Sequence, residues 1–359
     1  MKMKGNITIK DVAKQAGVSI STVSRVINDS KPVTDEVKQK VLEVIKETGY
    51  IPNPLARSLV TKKSQLIGVI VPEVSDSFVN EVLNGIEEVA KMYDYDILLA
   101  NTYSDKEQEL KSINLLRAKQ VEGIVMISWI VEQEHINYIQ NCGIPATYIS
   151  KTARNYDIYT VSTSNEEATF DMTEHLIKKG HEKIAFIMTS KDDTVLEMER
   201  LAGYEKALSN NNIELDKSLI KYGGTDYESG YNSMKELLDD GIIPHAAFVT
   251  GDEAAIGAIN AICDAGYKVP EDISVAGFND VKIARMYRPK LTTVYQPLYD
   301  MGAVAIRMVI KLINKELIEN KKIELPYRIV DRESVTERKN KTIKINQVVP
   351  KALPDFLCQ

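Results

Sequence analysis

Apolar residues in the first fifty positions recur at helical spacing in three short runs. The inward stripes of these runs are Val12, Ala13 and Ala16, then Val23, Val26 and Ile27, then Val37, Val41, Leu42 and Ile45. A hydroxyl residue stands at the N-cap position before each run, namely Thr8, Ser19 and Thr34. Asp11 completes a variant of the capping box with Thr8, and Gly17 and Gly49 end the first and third runs. The pattern therefore predicts three short helices.

The second of these helices is rich in hydroxyl groups, in the stretch "VSISTVSRVINDS" (18–30). Ser and Thr are mediocre helix formers, so their density indicates an outward face that contacts something polar. Two helices joined by a tight glycine-containing turn form a helix-turn-helix, whose second helix enters the major groove of DNA. A small three-helix bundle without a role in DNA binding is the alternative.

A fourth, shorter helix is predicted within "GYIPNPLARSLVTKK" (49–63). Pro52 ends the third helix, Asn53 suits an N-cap and Pro54 suits the first helical position. One face of this helix is apolar and carries Leu55, Ala56 and Leu59. So short a helix is unstable alone, and a leucine pair from two chains could wedge into the minor groove. A plain linker with one helical turn fits the residues equally well.

From residue 66 onward, nearly continuous apolar strands alternate with amphipathic helices, in two series. The predicted strands begin near residues 66, 96, 122 and 146 in the first series, and near 160, 183, 218, 246 and 273 in the second. Such alternation indicates parallel sheets covered by helices on both faces. We predict two similar doubly wound α/β lobes, with a ligand cleft at the carboxyl ends of the strands.

Polar and aromatic residues follow several of these strands and are candidates for an effector site in the cleft. They are Asp76, Phe78, Trp129, Arg200, Asp252 and Asn279. An aromatic ring with nearby Asp, Asn and Arg side chains suits a sugar, through stacking and charge-assisted hydrogen bonds. The alternatives are that Asp252 caps a helix and that Arg200 belongs to a surface ion pair.

Charge is spread unevenly along the chain. Residues 1–63 hold 12 Lys and Arg against 6 Asp and Glu, whereas the whole chain holds 45 against 51. A cationic head on an anionic body favours contact between the head and a polyanion, and a chance asymmetry is the alternative.

Other features narrow the class of protein. No apolar run approaches the ~18 residues that span a membrane, and no stretch of signal-peptide character follows the first ten residues. The three cysteines are odd in number and far apart, which favours a reducing cytoplasm. Nucleotide-binding, zinc-protease and C-x-x-C motifs are missing, as is any metal-ligand spacing among the four histidines. We therefore expect no enzyme, no cofactor and no metal site.

Two stretches, "TIKDVAKQAGVSISTVSRVIN" and "VLEVIKETGYIPNPLARSLVTKKSQLIGVIVP", resemble the lactose/galactose repressor family. The resemblance extends from about Thr8 to about Val335 and implies a homodimer bound to a near-palindromic operator. It also implies a core like the periplasmic sugar-binding proteins, with three crossovers between the lobes. The expected domains are a helix-turn-helix head (1–50), a hinge helix (51–63), a core (64–338) and a C-terminal extension (339–359).

The resemblance also implies which strands return to which lobe near the end of the core. Lobe 1 is expected at about 64–160 and 291–322, and lobe 2 at about 161–290 and 323–338. The strand "LTTVYQP" (291–297) and the helix after it would thus belong to lobe 1.

For the head, the resemblance implies roles at the DNA. The implied base-reading residues in the major groove are Ile20, Ser21 and Arg25. The implied phosphate contacts are Thr8, Ser19, Thr22, Ser24 and Asn28. The implied minor-groove residues are Ala56 and Leu59, in a hinge helix that also contains Asn53 and Leu55. Arginine to a guanine edge is the strongest specific contact expected there.

Within that family, stretches such as "RPKLTTVYQPLYDMGAVAIRMVIKLINKE" and "ELPYRI" are similar to the subgroup that controls carbon catabolite genes. That subgroup takes a protein corepressor, the phosphocarrier HPr phosphorylated on a serine. Arg307 and Arg328 would hold the phosphoserine, as suits bidentate phosphate recognition. Around them would lie Tyr299, Asp300 and Lys311, with Glu73, Glu81 and Glu88 facing basic residues of the partner. A solvated charged face is the alternative.

We therefore expect a cytoplasmic, nucleoid-associated regulator of carbon catabolite genes whose affinity for DNA rises with phosphorylated HPr. The main alternative is a local repressor that responds to a sugar or sugar phosphate in the cleft. Gly251 and "FND" (278–280) depart from the family pattern for sugar binding. A transport component without DNA binding and a sugar-modifying enzyme are weaker alternatives.

Overall fold

The structure is a computed structural model that describes residues 7–28, 31–50, 63–128, 133–149, 156–188 and 195–338. The chain divides into two compact units, Met1–Gln65 and Leu66–Gln359. The predicted hinge helix, Trp129 and the C-terminal extension fall outside the described residues.

The described residues of the smaller unit form three helices: α1 (Ile9–Ala16), α2 (Ile20–Asn28) and α3 (Asp35–Thr48). Its core is aliphatic, and Val12, Ala16, Val23 and Val41 are completely buried in it. Gly17 ends α1 with a φ of 66°, a left-handed conformation in which glycine avoids the penalty of a side chain. The three predicted helices are therefore present.

Two details of α3 differ from the prediction. Leu42 is 48 % exposed, whereas Val44 is buried in its place. Positions 37, 41 and 44 form one stripe at helical spacing, and residue 42 lies about 100° round the helix from residue 41. Thr34 occupies the N-cap position, but its side chain makes no capping hydrogen bond.

In the described part of the larger unit, twelve strands form two six-stranded sheets. The first sheet has the order β11–β5–β4–β3–β1–β2 and the second the order β12–β10–β9–β8–β6–β7. The strands of the first sheet are β1 (Leu66–Val71), β2 (Asp96–Asn101), β3 (Gly123–Ile127), β4 (Ala146–Ile149), β5 (Tyr159–Ser162) and β11 (Lys322–Glu324). Those of the second are β6 (Ile184–Met188), β7 (Ile220–Tyr222), β8 (Ala246–Val249), β9 (Ser274–Asn279), β10 (Thr292–Tyr295) and β12 (Arg328–Val330).

Helices cover both faces of each sheet, which explains the continuous apolar strands. Lobe 1 is built from the first sheet with α4 (Ser77–Met92), α5 (Lys106–Ala118), α6 (Gln133–Cys142) and α12 (Leu298–Ile313). Lobe 2 is built from the second sheet with α7 (Asn165–Lys178), α8 (Val195–Asn210), α9 (Tyr227–Asp239), α10 (Asp252–Asp264) and α11 (Lys282–Met286). Along β1, Ile67 and Val69 belong to the apolar cluster that includes residues of α4 and α12, and Ile70 to the cluster on the opposite face.

The chain crosses between the lobes three times, as the resemblance implied, but one strand later than predicted at each of the first two crossings. The strand at 160–163, expected to open lobe 2, is β5 and pairs with β4 in lobe 1. The strand expected in lobe 1 at 291–297 is β10, which pairs with β9 in lobe 2, and only the following helix α12 packs in lobe 1. A buried strand has the same apolar pattern in either sheet, so the pattern locates the strand and not its sheet.

The third crossing lies within the segment that the resemblance assigned to lobe 2 from residue 323 onward. Its first part lies in β11, beside β5 in lobe 1, and its second part in β12, antiparallel to β10 in lobe 2. Because the first two crossings leave the carboxyl ends of β5 and β10, the carboxyl ends of the two sheets face each other across a cleft.

No helix in the described part of the chain is long and apolar enough to cross a bilayer.

Candidate functional sites

The N-terminal end of α2 carries a cluster of hydroxyl groups that bond to one another. The Ser19 hydroxyl lies 2.7 Å from that of Ser21 and 2.8 Å from that of Thr22, and it accepts the Thr22 backbone N–H at 3.1 Å. Ser19 is therefore the N-cap that the sequence predicted. Ile20, 44 % exposed, lies beside this cluster, and Arg25 is exposed one turn further on. A slender face with one exposed aliphatic group and one guanidinium is suited to base edges in a major groove.

All five residues predicted to contact phosphates, Thr8, Ser19, Thr22, Ser24 and Asn28, have hydrogen-bond partners within the head. The Asp11 carboxylate accepts the Thr8 backbone N–H at 2.9 Å and the Thr8 hydroxyl at 2.6 Å, which lowers the pKa of Asp11. The Asn28 side-chain amide donates to the backbone oxygen of Ser24 at 2.9 Å and to its hydroxyl at 3.2 Å. These bonds order the N-terminal end of α1 and the C-terminal end of α2. The predicted minor-groove residues Asn53, Leu55, Ala56 and Leu59 lie outside the described residues.

In the core, Asp252 is 1 % exposed at the start of α10. It is not the helix cap, since Gly251 occupies that position. Its carboxyl group accepts the Val281 backbone N–H at 2.8 Å and the Thr293 hydroxyl at 2.5 Å. Burial raises the pKa of Asp252 to about 8, against the lowering effect of these two hydrogen bonds. Asp252 is thus engaged inside lobe 2.

Asn279 lies next to this group and is tied to the second crossover. Its side-chain oxygen accepts the Gln296 amide at 2.7 Å, and Gln296 in turn accepts a hydrogen bond from Thr163 on the first crossover. Beyond it, Asp280 forms a buried ion pair with Arg332 at 2.6 Å. The structure therefore places Asp252 and Asn279 in neighbouring parts of one polar network, where both are bonded to other residues of the protein.

Three further residues of this network were not predicted: Thr293, Gln296 and Arg332. Each is distant in sequence from its partner, with 41 positions between Thr293 and Asp252. No local motif marks such a pair. The sequence offered only a weak signal, and only for Gln296, which directly follows β10.

The remaining cleft candidates also have structural partners. Arg200 is buried, with its guanidinium 4.5 Å above the ring of Phe278, 3.6 Å from Glu197 and 3.3 Å from the Thr250 carbonyl oxygen. It does not belong to a surface ion pair, so that alternative is wrong. Asp76 caps α4 by accepting the Phe78 backbone N–H at 2.7 Å.

Phe78 is itself buried in the apolar core of lobe 1, and Trp129 lies outside the described residues. Most groups proposed to bind a sugar are therefore already satisfied by the protein. Among the described residues, no group of three or more His, Cys, Asp or Glu side chains could hold a metal ion.

The residues predicted to bind a corepressor lie largely on the surface, on elements of both lobes. Exposed members are Glu73, Glu88, Tyr299, Asp300, Arg307, Lys311 and Arg328, and Glu81 is half-buried. Helices α4 and α12 cross so closely that a Cβ added at Gly85 would lie 2.0 Å from the carbonyl oxygen of Tyr299. This crossing places side chains of the two helices side by side.

The contacts within this charged face are specific. A hydrogen bond with Glu88 raises the pKa of Tyr299, while the nearby charge of Arg307 lowers it. Arg328, on β12 of lobe 2, holds its guanidinium 4.3 Å from the ring centroid of Tyr295. Glu88, Tyr299 and Arg307 thus interact with one another in lobe 1, whereas Arg328 contacts Tyr295 in lobe 2.

Comparisons with known proteins find matches for both the helical head and the core of the chain. Residues 8–53 match the model of bacterial regulatory proteins of the lacI family, and residues 173–335 match a periplasmic binding protein-like domain. Catabolite control protein A of Priestia megaterium is 38 % identical over 329 residues, which cover 92 % of this chain and 99 % of that protein.

Solved structures of transcription regulators are also similar to this chain over most of its length. The lac repressor dimer bound to operator and the anti-inducer ONPF is 29 % identical with a TM-score of 0.85, over 92 % of this chain and all of that chain. A complex of the transcriptional regulator CelR with cellobiose is 29 % identical with a TM-score of 0.70, over 91 % and 99 % of the two chains. The predicted fold class is confirmed.

Proposed function

The chain belongs to the lacI family of bacterial DNA-binding transcription regulators, and we propose that it controls carbon catabolite genes with serine-phosphorylated HPr as its corepressor. In this proposal, corepressor binding raises the affinity of a homodimer for a near-palindromic operator. The protein acts in the cytoplasm, at the nucleoid, and catalyses no reaction.

The charged face on α4, α12 and β12 is the observation that carries this proposal. Arg307 is exposed on a rigid helix, and Arg328 is held against an aromatic ring. Guanidinium groups presented in this way suit a phosphoserine, because each can donate two parallel hydrogen bonds to phosphate oxygens. Exposed Glu73 and Glu88 suit basic residues of a protein partner.

The residues of the cleft support the binding of a small effector less strongly than the charged face supports the binding of a corepressor. Asp252 and Arg200 are buried and bonded to the protein itself, and Asn279 is bonded to Gln296. A sugar that used these groups would first have to break those contacts, which costs affinity. The second candidate is nevertheless a repressor controlled by a sugar or sugar phosphate, since a solved relative binds cellobiose.

For the DNA-binding half, we propose that Ile20, Ser21 and Arg25 contact base edges. Thr8, Ser19, Thr22, Ser24 and Asn28 would hold phosphates. Ala56 and Leu59 would enter the minor groove, with Asn53 and Leu55 in the same hinge segment. The exposure of Ile20 and Arg25 on one slim helix supports this assignment.

The test measures operator binding by fluorescence anisotropy with no addition, with HPr and with serine-phosphorylated HPr. We expect only the phosphorylated form to raise the affinity. Arg307→Ala should remove this enhancement, because loss of one partner of a charged pair at an interface costs about 2–5 kcal/mol. Arg117→Ala, another exposed arginine of lobe 1, is the matched control.

Calorimetric titration with a panel of sugars and sugar phosphates separates the two candidates. Binding of a sugar that changes operator affinity, together with no effect of phosphorylated HPr, would establish the sugar-controlled repressor instead. Equal enhancement by both forms of HPr would also contradict the proposed role of the arginines.

A further inference from the structure

The first turn of α10, in lobe 2, contacts lobe 1 by two routes. The Glu253 carboxylate accepts a hydrogen bond from the hydroxyl of Ser77, the first residue of α4 in lobe 1. The adjacent Asp252 holds the backbone N–H of Val281, and the Val281 side chain is buried in the apolar cluster of lobe 1. Glu253 therefore contacts lobe 1 directly, and Asp252 acts on it indirectly, by holding the lobe 2 residue whose side chain packs into lobe 1.

The segment that carries Val281 is held in a demanding conformation. Asn279 has a φ angle of 111°, which a non-glycine residue rarely adopts, whereas the 58° of Asp280 lies in the left-handed region that Asp tolerates. Gln296 and Arg332 supply two side-chain anchors for this segment, at 2.7 Å and 2.6 Å. Val281 is therefore presented to lobe 1 by a fixed turn and not by a loose loop.

A repulsive contact opposes the attractive ones at the same place. Asp76, next to Ser77, has a raised pKa, chiefly because it is buried, and the negative charges of Glu253 and Glu73 raise it further. Separating the lobes at this point would relieve the repulsion between Asp76 and Glu253 but break the bond between Ser77 and Glu253. The arrangement of the lobes is thus a balance of two opposed interactions that share one carboxylate.

We propose that Ser77, Asp252, Glu253 and Val281 form an interlobe latch that holds the two lobes in the arrangement seen here. The latch sets how far the cleft is open before any partner binds at the surface. Its effect on lobe separation is independent of the proposed function. Its effect on operator affinity rests on that function, because it requires that lobe arrangement controls DNA binding.

The test is a spin-label distance measurement between the lobes of the full-length protein. Labels are attached at Gln108→Cys in α5 and Met198→Cys in α8, both exposed near helix starts that follow cleft-facing strand ends. Cys142, Cys263 and Cys358 are replaced by Ser in this background.

Ser77→Ala should lengthen or broaden the distance by more than about 2 Å, the scale of a domain rearrangement. Ser75→Ala is the matched control, because its hydroxyl donates to Glu73 within the same lobe. Glu253→Ala should lengthen the distance less than Ser77→Ala does, because it removes the repulsion with Asp76 together with the bond. Glu253→Gln should keep the original distance, since its amide oxygen still accepts the bond and the repulsion with Asp76 is gone.

The double variant Ser77→Ala/Glu253→Ala should equal Glu253→Ala, because the alanine at position 253 already removes both the bond to Ser77 and the repulsion with Asp76. Asp252→Ala should also lengthen the distance, and circular dichroism checks that it folds, with Asp252→Asn as the conservative variant.

The latch is overturned if Ser77→Ala and Glu253→Ala both keep the original distance in folded protein. A changed distance with unchanged operator affinity would leave the latch standing and contradict only its coupling to DNA binding.

Discussion

At the scale of single residues, the carboxyl group of Asp252 gives the core a distinctive dependence on pH. Its pKa is about 8 in the folded protein and near 3.8 when unfolded, so the folded state binds one more proton between these values. The free energy of unfolding therefore falls as pH rises through this range, by about 1.4 kcal/mol per pH unit from this group. Asp252→Asn should remove that part of the slope in urea unfolding, whereas Asp226→Asn, at an exposed helix cap, should keep it. An unchanged slope in Asp252→Asn would show that the group is ionised in the folded protein.

Ile20 and Arg25 should affect DNA binding in different ways. Arg25→Ala removes a guanidinium suited to a guanine edge and should cost about 1–3 kcal/mol of discrimination at one base pair. Ile20→Ala should instead relax the preference for thymine at one position, where the side chain would contact the methyl group, with a small change in overall affinity. Anisotropy titrations against operators changed one base pair at a time measure both effects. An equal loss for every operator in Ile20→Ala would contradict a role in base recognition.

Some properties of the candidate site residues can be predicted from the sequence, and others cannot. The exposed residues of α2 follow from helical spacing alone, and Arg25 and Ser21 are exposed as predicted. The role of Asp252 does not follow from its neighbours, because its partners Val281 and Thr293 are 29 and 41 positions away. Whether a polar residue at a strand end binds a ligand or another strand is decided by packing between distant segments.

At the scale of elements, the crossing of α4 and α12 depends on two glycines. A Cβ at Gly85 would lie 2.0 Å from the Tyr299 carbonyl oxygen, and one at Gly302 would lie 2.1 Å from that of Val82. Backbone atoms cannot yield as a flexible side chain can, so Gly85→Ala should force the helices apart. We expect a loss of about 1–3 kcal/mol in the free energy of unfolding, the usual cost of overpacking.

Urea unfolding of Gly85→Ala measures this loss, and the enhancement of operator binding by phosphorylated HPr should fall as well, because α4 and α12 carry the charged face. Gly251→Ala is the matched control, since its Cβ would lie at an ordinary 3.6 Å from the nearest atom. Equal stabilities of the two variants would mean that the helices can separate without cost.

The sequence located most helices and strands correctly, but two strands were assigned to the wrong lobe. The apolar runs located the strands from β1 to β9, and glycine and N-cap residues located the helices of the head. The pattern placed β5 in the wrong lobe, because a strand buried on both faces has the same composition in either sheet, and the assignment of β10 to lobe 1 that the resemblance implied is wrong as well. The order of strands is set by where the crossovers turn, and residues 163–164 and 296–297 carry no turn signal that distinguishes the two sheets.

At the scale of the whole molecule, the uneven charge predicts how DNA binding responds to salt. Residues 1–63 carry 12 Lys and Arg against 6 Asp and Glu, so the phosphate contacts should come from the head. The logarithm of the binding constant should fall linearly with the logarithm of salt concentration, by about 0.9 per phosphate contacted. Lys111→Gln, at an exposed cation of lobe 1, should leave this slope unchanged. A binding constant that does not change with salt concentration would contradict phosphate contacts by the head.

The two arginines proposed for the corepressor belong to different lobes, which makes their joint effect a property of the whole core. Arg307 lies on α12 in lobe 1, and Arg328 on β12 in lobe 2, where it stacks on Tyr295. A phosphoserine held by both would bridge the lobes, so Arg307→Ala and Arg328→Ala should each abolish the enhancement of operator binding. Tyr295→Ala should weaken it by loosening Arg328, and Tyr295→Phe should restore it because the ring remains. Anisotropy with phosphorylated HPr measures all four variants, and full enhancement in Arg328→Ala would confine the phosphate contact to lobe 1.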